Sequence, residues 1–128
     1  MEKRAIRTER APAPFQGAPY SQGIVAGDLV FVSGQLGIDP PAGKVVEGGI
    51  AEQTERTMLN LAAILEEAGA SLADVVMASI FLADLGDFQA MNEVYASHLT
   101  EPYPARATVE VGALPSGALV EIAVVARR

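Results

Sequence analysis

Residues 119–126 are apolar on both sides of a strand, and that limits the fold more than any other stretch. Side chains alternate across a strand, so Leu119, Ala123 and Val125 point one way and Val120, Ile122 and Val124 the other. Residues 75–83 repeat the pattern, with Val75, Met77 and Phe81 against Val76, Ile80 and Leu82. Such strands belong inside a sheet that is covered on both faces.

The rest of the chain shows what is available as cover. Met58, Leu61, Leu65 and Ala68 recur at three- and four-residue steps, which predicts a helix over residues 50–68 with Gly69 as its C-terminal cap. Asp87 reads as the N-cap of a second helix ending near Leu99, ahead of Pro102 and Pro104. Residues 3–8, 22–26 and 29–33 read as strands, the last two joined by a Gly27-Asp28 turn. Residues 11–16, with Pro12 and Pro14, form an irregular arm, and residues 39–43 a loop. Residues 106–111 and 119–126 are the final strands, with a turn at Leu114-Pro115-Ser116-Gly117. The expected order is β-β-β-α-β-α-β-β in one domain, residues 1–128: an α+β fold with a single mixed sheet and two helices on one face. The second apolar face is then bare. Either the sheet curls partly on itself or further copies of the chain cover it, and association is the more economical reading.

Composition removes several chemistries. Half of the residues are apolar, enough for a packed core. Cysteine is absent, so disulfides, thiolate nucleophiles and thiolate metal sites are excluded together. That fits a reducing compartment such as the cytoplasm. Residues 1–13 carry charges and no long apolar run, so no signal peptide is expected, and no stretch is apolar enough to span a bilayer. A net charge of −7 argues against a nucleic-acid partner. His98 is the only histidine, so neither a metal site nor a Ser-His-Asp triad is expected, and it reads as a solvent-exposed residue at a helix end. Gly48-Gly49 lacks the Lys-Ser/Thr signature of a phosphate loop. No cofactor is called for.

What remains is a few polar residues in apolar settings. Glu121 shares a row with Leu119, Ala123 and Val125, where a carboxylate is costly unless paired, solvated or protonated. Arg106 opens a strand and shares its face with Thr108 and Glu110; its planar fork of donors suits a carboxylate. Asn92 lies on the apolar stripe of the second helix with Phe88, Met91, Tyr95 and Leu99, where a buried amide needs partners. Ser33 ends a strand, and Gly34 after it lets a ligand approach the backbone. Each also has a plain structural reading. Arg106 and Glu121 could pair across a hairpin, Asn92 could cap a loop, and Ser33 could simply end its strand.

A resemblance narrows these alternatives. Ala18-Pro19-Tyr20-Ser21-Gln22 and Val32-Ser33-Gly34-Gln35 resemble the N-terminal signature of the Rid (YjgF) family. Residues 88–95, Phe-Gln-Ala-Met-Asn-Glu-Val-Tyr, are similar to the family's second helix. Residues 103–111, Tyr-Pro-Ala-Arg-Ala-Thr-Val-Glu-Val, and Leu114-Pro115 followed by Val120-Glu121-Ile122 resemble its C-terminal signature, the most specific of the set. The resemblance implies a chorismate-mutase-like fold and a homotrimer with active sites in the clefts between subunits. It also implies cofactor-free hydrolysis of 2-imino acids, such as 2-iminopropanoate and 2-iminobutanoate, and of their enamine tautomers, to 2-keto acids and ammonia. On that resemblance Arg106 would hold the substrate carboxylate and Glu121 would stand by the imine carbon and water. Tyr20, Ser33, Gly34 and Asn92 would line the cleft, and the Thr108 backbone would bond the substrate.

Some relatives carry cysteine where this chain has Thr108, and many carry a second glutamate at Ala123 and glycine at Ala18. These departures bear on substrate preference more than on the reaction. Two other classes compete with the enzyme: a sensor that binds a 2-keto or imino acid in the same pocket without turnover, and an RNA-acting protein, against which the −7 charge counts.

Overall fold

The strand with two apolar faces takes a central place. The computed structural model describes residues 2–128, Met1 lying outside them. Its strands are β1 (Lys3–Ile6), β2 (Gly23–Ala26), β3 (Leu29–Leu36), β4 (Ile38–Asp39), β5 (Lys44–Val45), β6 (Val75–Leu82), β7 (Ala105–Glu110) and β8 (Val120–Arg127). The helices are α1 (Ile50–Glu67) and α2 (Phe88–Ser97). The main sheet has the order β1-β2-β3-β8-β6-β7. β8 runs antiparallel to both neighbours, while β7 lies parallel to β6. A parallel pair needs a crossover, and α2 supplies it.

Both helices lie on one face. Val120, Ile122, Val124 and Ala126 of β8, with Ala78, Ile80 and Leu82 of β6, are buried beneath Met58, Leu61, Ile64 and Leu65 of α1 and Met91 and Tyr95 of α2. On the other face Glu121, Ala123 and Val125 are only half-buried, and Phe31 and Val109 are exposed. That face is the uncovered one expected from the patterning. Gly69, at φ +82°, ends α1 in a left-handed turn. There the Ala70 N–H donates to Leu65 O at 2.9 Å and the Gly69 N–H to Glu66 O at 3.0 Å, which satisfies the last carbonyls of the helix.

Irregularities account for the departures from the expected pattern. The β6 register against β8 shifts between Val75 and Met77. Val75 is therefore buried and Val76 exposed, the reverse of strict alternation. A second shift, between Val32 and Gln35, lets β3 continue past Ser33 to Leu36. Ser33 therefore sits inside a bulged strand and not at its end. β4 and β5 close the expected loop as a small hairpin. β2 begins at Gly23, one residue after Gln22, whose backbone carbonyl still accepts the Ser33 N–H at 3.0 Å. The buried Gln22 amide accepts from the Thr8 N–H at 2.8 Å and donates to Thr8 O, Ala11 O and Pro12 O, tying down the N-terminal arm.

Two expected end residues behave differently. Asp87 occupies the N-cap position of α2 without a side-chain capping bond; Asp84, one turn earlier, accepts the Gly86 N–H at 2.8 Å. His98 is not solvent-exposed. Its Nε2 meets Glu55 Oε1 at 2.7 Å with 17% of the side chain exposed, which clips α2 to α1. Among the described residues no helix is long and apolar enough to cross a membrane.

Candidate active site

Arg106 belongs to the helix side of the sheet. It pairs in register with Ala78 of β6, which is fully buried under the helices. From there the guanidinium reaches α2, with its Cζ 5.4 Å from the centre of the Phe88 ring and 5.2 Å from that of Tyr95. Among the described residues no carboxylate pairs with it. Around it stand three buried polar atoms without a hydrogen-bond partner among the described residues: Asn92 Oδ1, the Tyr95 hydroxyl and Thr108 Oγ1. Burial pushes the Tyr95 hydroxyl above its usual pKa, the Arg106 charge opposing the rise. Asn92, Tyr95, Ala96, Tyr103, Pro104 and Arg106 line a hollow of about 340 Å³. Asn92 lies mid-helix and caps nothing.

Glu121 belongs to the opposite face. Its register partner in β6 is Phe81, three residues from Ala78 and so on the other side of the pleat. It opens into a second hollow of about 630 Å³, shared with Tyr20, Ser33 and Gly34 and walled by Pro12, Pro14, Phe15, Pro40 and Pro115. Burial raises the Glu121 carboxyl above the usual range. Gly34 makes room for it, since a Cβ there would stand 2.5 Å from Glu121 Oε2. The Ser33 hydroxyl donates to Ser21 O at 2.6 Å, and the Tyr20 hydroxyl accepts from the Phe15 N–H at 2.7 Å. Both bonds fix the walls around the carboxylate.

The residues singled out in the sequence thus fall into two groups. Asn92, Arg106 and Thr108 form one; Tyr20, Ser33, Gly34 and Glu121 form the other. Strand β6 lies between β7 and β8, so Arg106 and Glu121 do not face each other across a hairpin. Two strand spacings and three residues of rise put their backbones on the order of 14 Å apart, on opposite faces. The structural ion pair is thereby ruled out within one chain. The sequence marks Phe88 and Tyr95 only as members of an apolar stripe. Their seven-residue separation, with Asn92 between, was the signal that places them over one strand residue.

Comparison with known proteins follows the same outline. The family described as endoribonuclease L-PSP matches residues 8–128. A RutC family protein of Pyrococcus abyssi is 52% identical over 126 residues, covering 98% of each chain. The 2-iminobutanoate/2-iminopropanoate deaminase of Capra hircus is 42% identical over 126 residues, covering 98% of this chain and 90% of that one. The crystal structure of RidA from the Antarctic bacterium Psychrobacter sp. superposes with a TM-score of 0.92 at 46% identity, over 98% of this chain and 99% of that one. The unpaired arginine after a parallel crossover and the glutamate on the open face of the central strand therefore sit in a chain that belongs to the Rid (YjgF) family.

Proposed function

We propose that this chain, as a single Rid-type domain, is a 2-imino acid deaminase acting in the cytoplasm. It hydrolyses substrates of the 2-iminopropanoate and 2-iminobutanoate type to the 2-keto acid and ammonia. The observation that carries the reading is Arg106: a half-buried cation with no carboxylate partner among the described residues, sharing a hollow with Asn92, whose buried Oδ1 also lacks a partner there. A buried charge in that condition is costly unless something supplies the missing anion. A planar substrate carboxylate fits the guanidinium fork.

The chemistry then needs water and a proton carrier. With the carboxylate held, water adds to C2 of the protonated imine, nitrogen takes up a proton, and ammonia leaves as the keto group forms. Glu121, whose pKa burial raises, takes one proton from the water and returns it to the nitrogen, then accepts the remaining hydroxyl proton as ammonia leaves and passes it to solvent. Because hydrolysis of a protonated imine is already facile, positioning supplies much of the acceleration. Arg106 and Glu121 lie on opposite faces, so the site is completed between copies, in a homotrimer whose neighbours cover the open face. Tyr20, Ser33 and Gly34 line the Glu121 half; Asn92 and Thr108 complete the Arg106 half. No cofactor enters the reaction.

A coupled assay tests this. A dehydratase generates 2-iminobutanoate, and release of 2-oxobutanoate is followed with and without the protein. Faster release is expected. Tight 2-oxobutanoate binding without acceleration would make the protein a sensor instead.

A further inference from the structure

A half-buried arginine would ordinarily be balanced by a carboxylate. Arg106 is balanced by rings. Phe88 and Tyr95 are seven residues apart on α2, two turns along one face, and both rings lie against the guanidinium at 5.4 and 5.2 Å. The negative face of an aromatic ring offsets the desolvation of a cation while meeting it from above its plane. The N–H donors of a guanidinium lie in that plane. An acidic partner would occupy those donors and compete with any incoming carboxylate.

We infer that Phe88 and Tyr95 are positioning residues that hold Arg106 by its faces and leave its in-plane donors uncommitted for a substrate carboxylate. This rests on the deaminase reading. It adds a division of labour on α2, in which two aromatic residues set the cation and Asn92 between them faces the hollow. Tyr95 is 6% exposed and part of the core, so its loss disturbs packing as well; Phe88, 37% exposed, gives the cleaner test.

The experiment compares Phe88→Leu, Phe88→Tyr and Tyr95→Phe with the unaltered protein. KM and kcat are measured in the coupled assay, and the affinity for 2-oxobutanoate by calorimetry. Phe88→Leu should weaken 2-oxobutanoate binding and raise KM by about tenfold, with kcat and melting temperature nearly unchanged. Phe88→Tyr and Tyr95→Phe keep a ring and should stay within about twofold. If Phe88→Leu binds and turns over like the unaltered protein, the rings do not set the cation and the inference falls alone. If the unaltered protein neither binds 2-oxobutanoate nor accelerates its release, the deaminase reading falls and takes the inference with it.

Discussion

The Arg106 hollow is framed mainly by regular structure, with Tyr103 and Pro104 added by the loop before β7, whereas the Glu121 hollow is walled by an arm, a bulge and turns. Arg106 and Thr108 are held on β7, which bonds along its length to β6, and Asn92 and Tyr95 on α2, whose backbone bonds are internal. Glu121 projects from β8, but its surroundings come from Pro12, Pro14 and Phe15, from the β3 bulge at Ser33 and Gly34, and from the turns at Pro40 and Pro115. The contrast suits two tasks. Recognition of a planar carboxylate demands a fixed fork. Proton exchange demands a carboxyl in a poorly solvated setting, which loops can supply as well as helices can.

The sharpest way to break this comparison is to delete the fork. Arg106→Ala should lower kcat/KM on the order of 10³-fold and abolish 2-oxobutanoate binding, and Lys should rescue little because it lacks the planar pair of donors. A folded Arg106→Ala protein with intact kcat/KM would remove the clamp. Glu121→Gln keeps shape and hydrogen bonding but not titration. It should cost about 10²-fold in kcat while leaving 2-oxobutanoate affinity unchanged. The two variants therefore fail in different columns of the same measurement. A purely structural role would instead lower both melting temperatures.

Combining the two inactive variants sharpens the comparison further. If one copy supplies Arg106 and its neighbour Glu121, mixed assemblies of Arg106→Ala and Glu121→Gln contain some sites with both residues intact. Equal, random mixing should restore about a quarter of the unaltered activity. Light scattering on the same sample should return three times the 13.4 kDa chain mass. Absence of any recovery from a confirmed mixed assembly would mean that both residues act from a single copy, against their placement on opposite faces.

How much of this was legible in the sequence differs between the two halves. Period alone marks α1, since Met58, Leu61 and Leu65 all reach the core, and it marks the stripe Phe88, Met91, Asn92 and Tyr95. Alternation marks β8 and its two unequal faces. Strand order was not legible. Nothing in residues 105–110 says that they pair with β6 and not β8, because pairing depends on where α2 returns the chain. Bulges were not legible either. The extra residue at Val76 and the shift around Ser33 reflect how neighbouring strands fit, not a local preference. The pattern of residues 22–26 marks Gln22 only as a strand residue, although its side-chain bonds shape the arm beside Glu121.

A milder change probes the loop-built half by itself. Gly34→Ala puts a methyl group 2.5 Å from Glu121 Oε2, the far end of a side chain that can swing away. The fold should survive, with a melting temperature within a few degrees. The carboxylate should move, and kcat should fall by about tenfold with product affinity kept. A fully active variant would show that the Glu121 carboxylate tolerates displacement.

The smallest expected effect is on stability, and its sign follows from the raised pKa of Glu121. In the folded chain this carboxyl binds its proton more tightly than it does unfolded. Its contribution is therefore fully present below the unfolded value, near 4.5, and is lost as pH rises through the higher folded value. Glu121→Gln has no proton to lose. Melting temperatures of the two proteins, measured as a series upward from pH 4.5, should separate progressively in favour of the glutamine variant and then run parallel. Arg106→Ala should widen that separation, because the neighbouring copy's Arg106 shares the site with Glu121 and its charge favours the ionised carboxyl. Parallel curves throughout would mean that the Glu121 carboxyl titrates alike in the folded and unfolded chains. In that event the open face is wetter than its apolar neighbours suggest, and the proton for the leaving ammonia has to come from water.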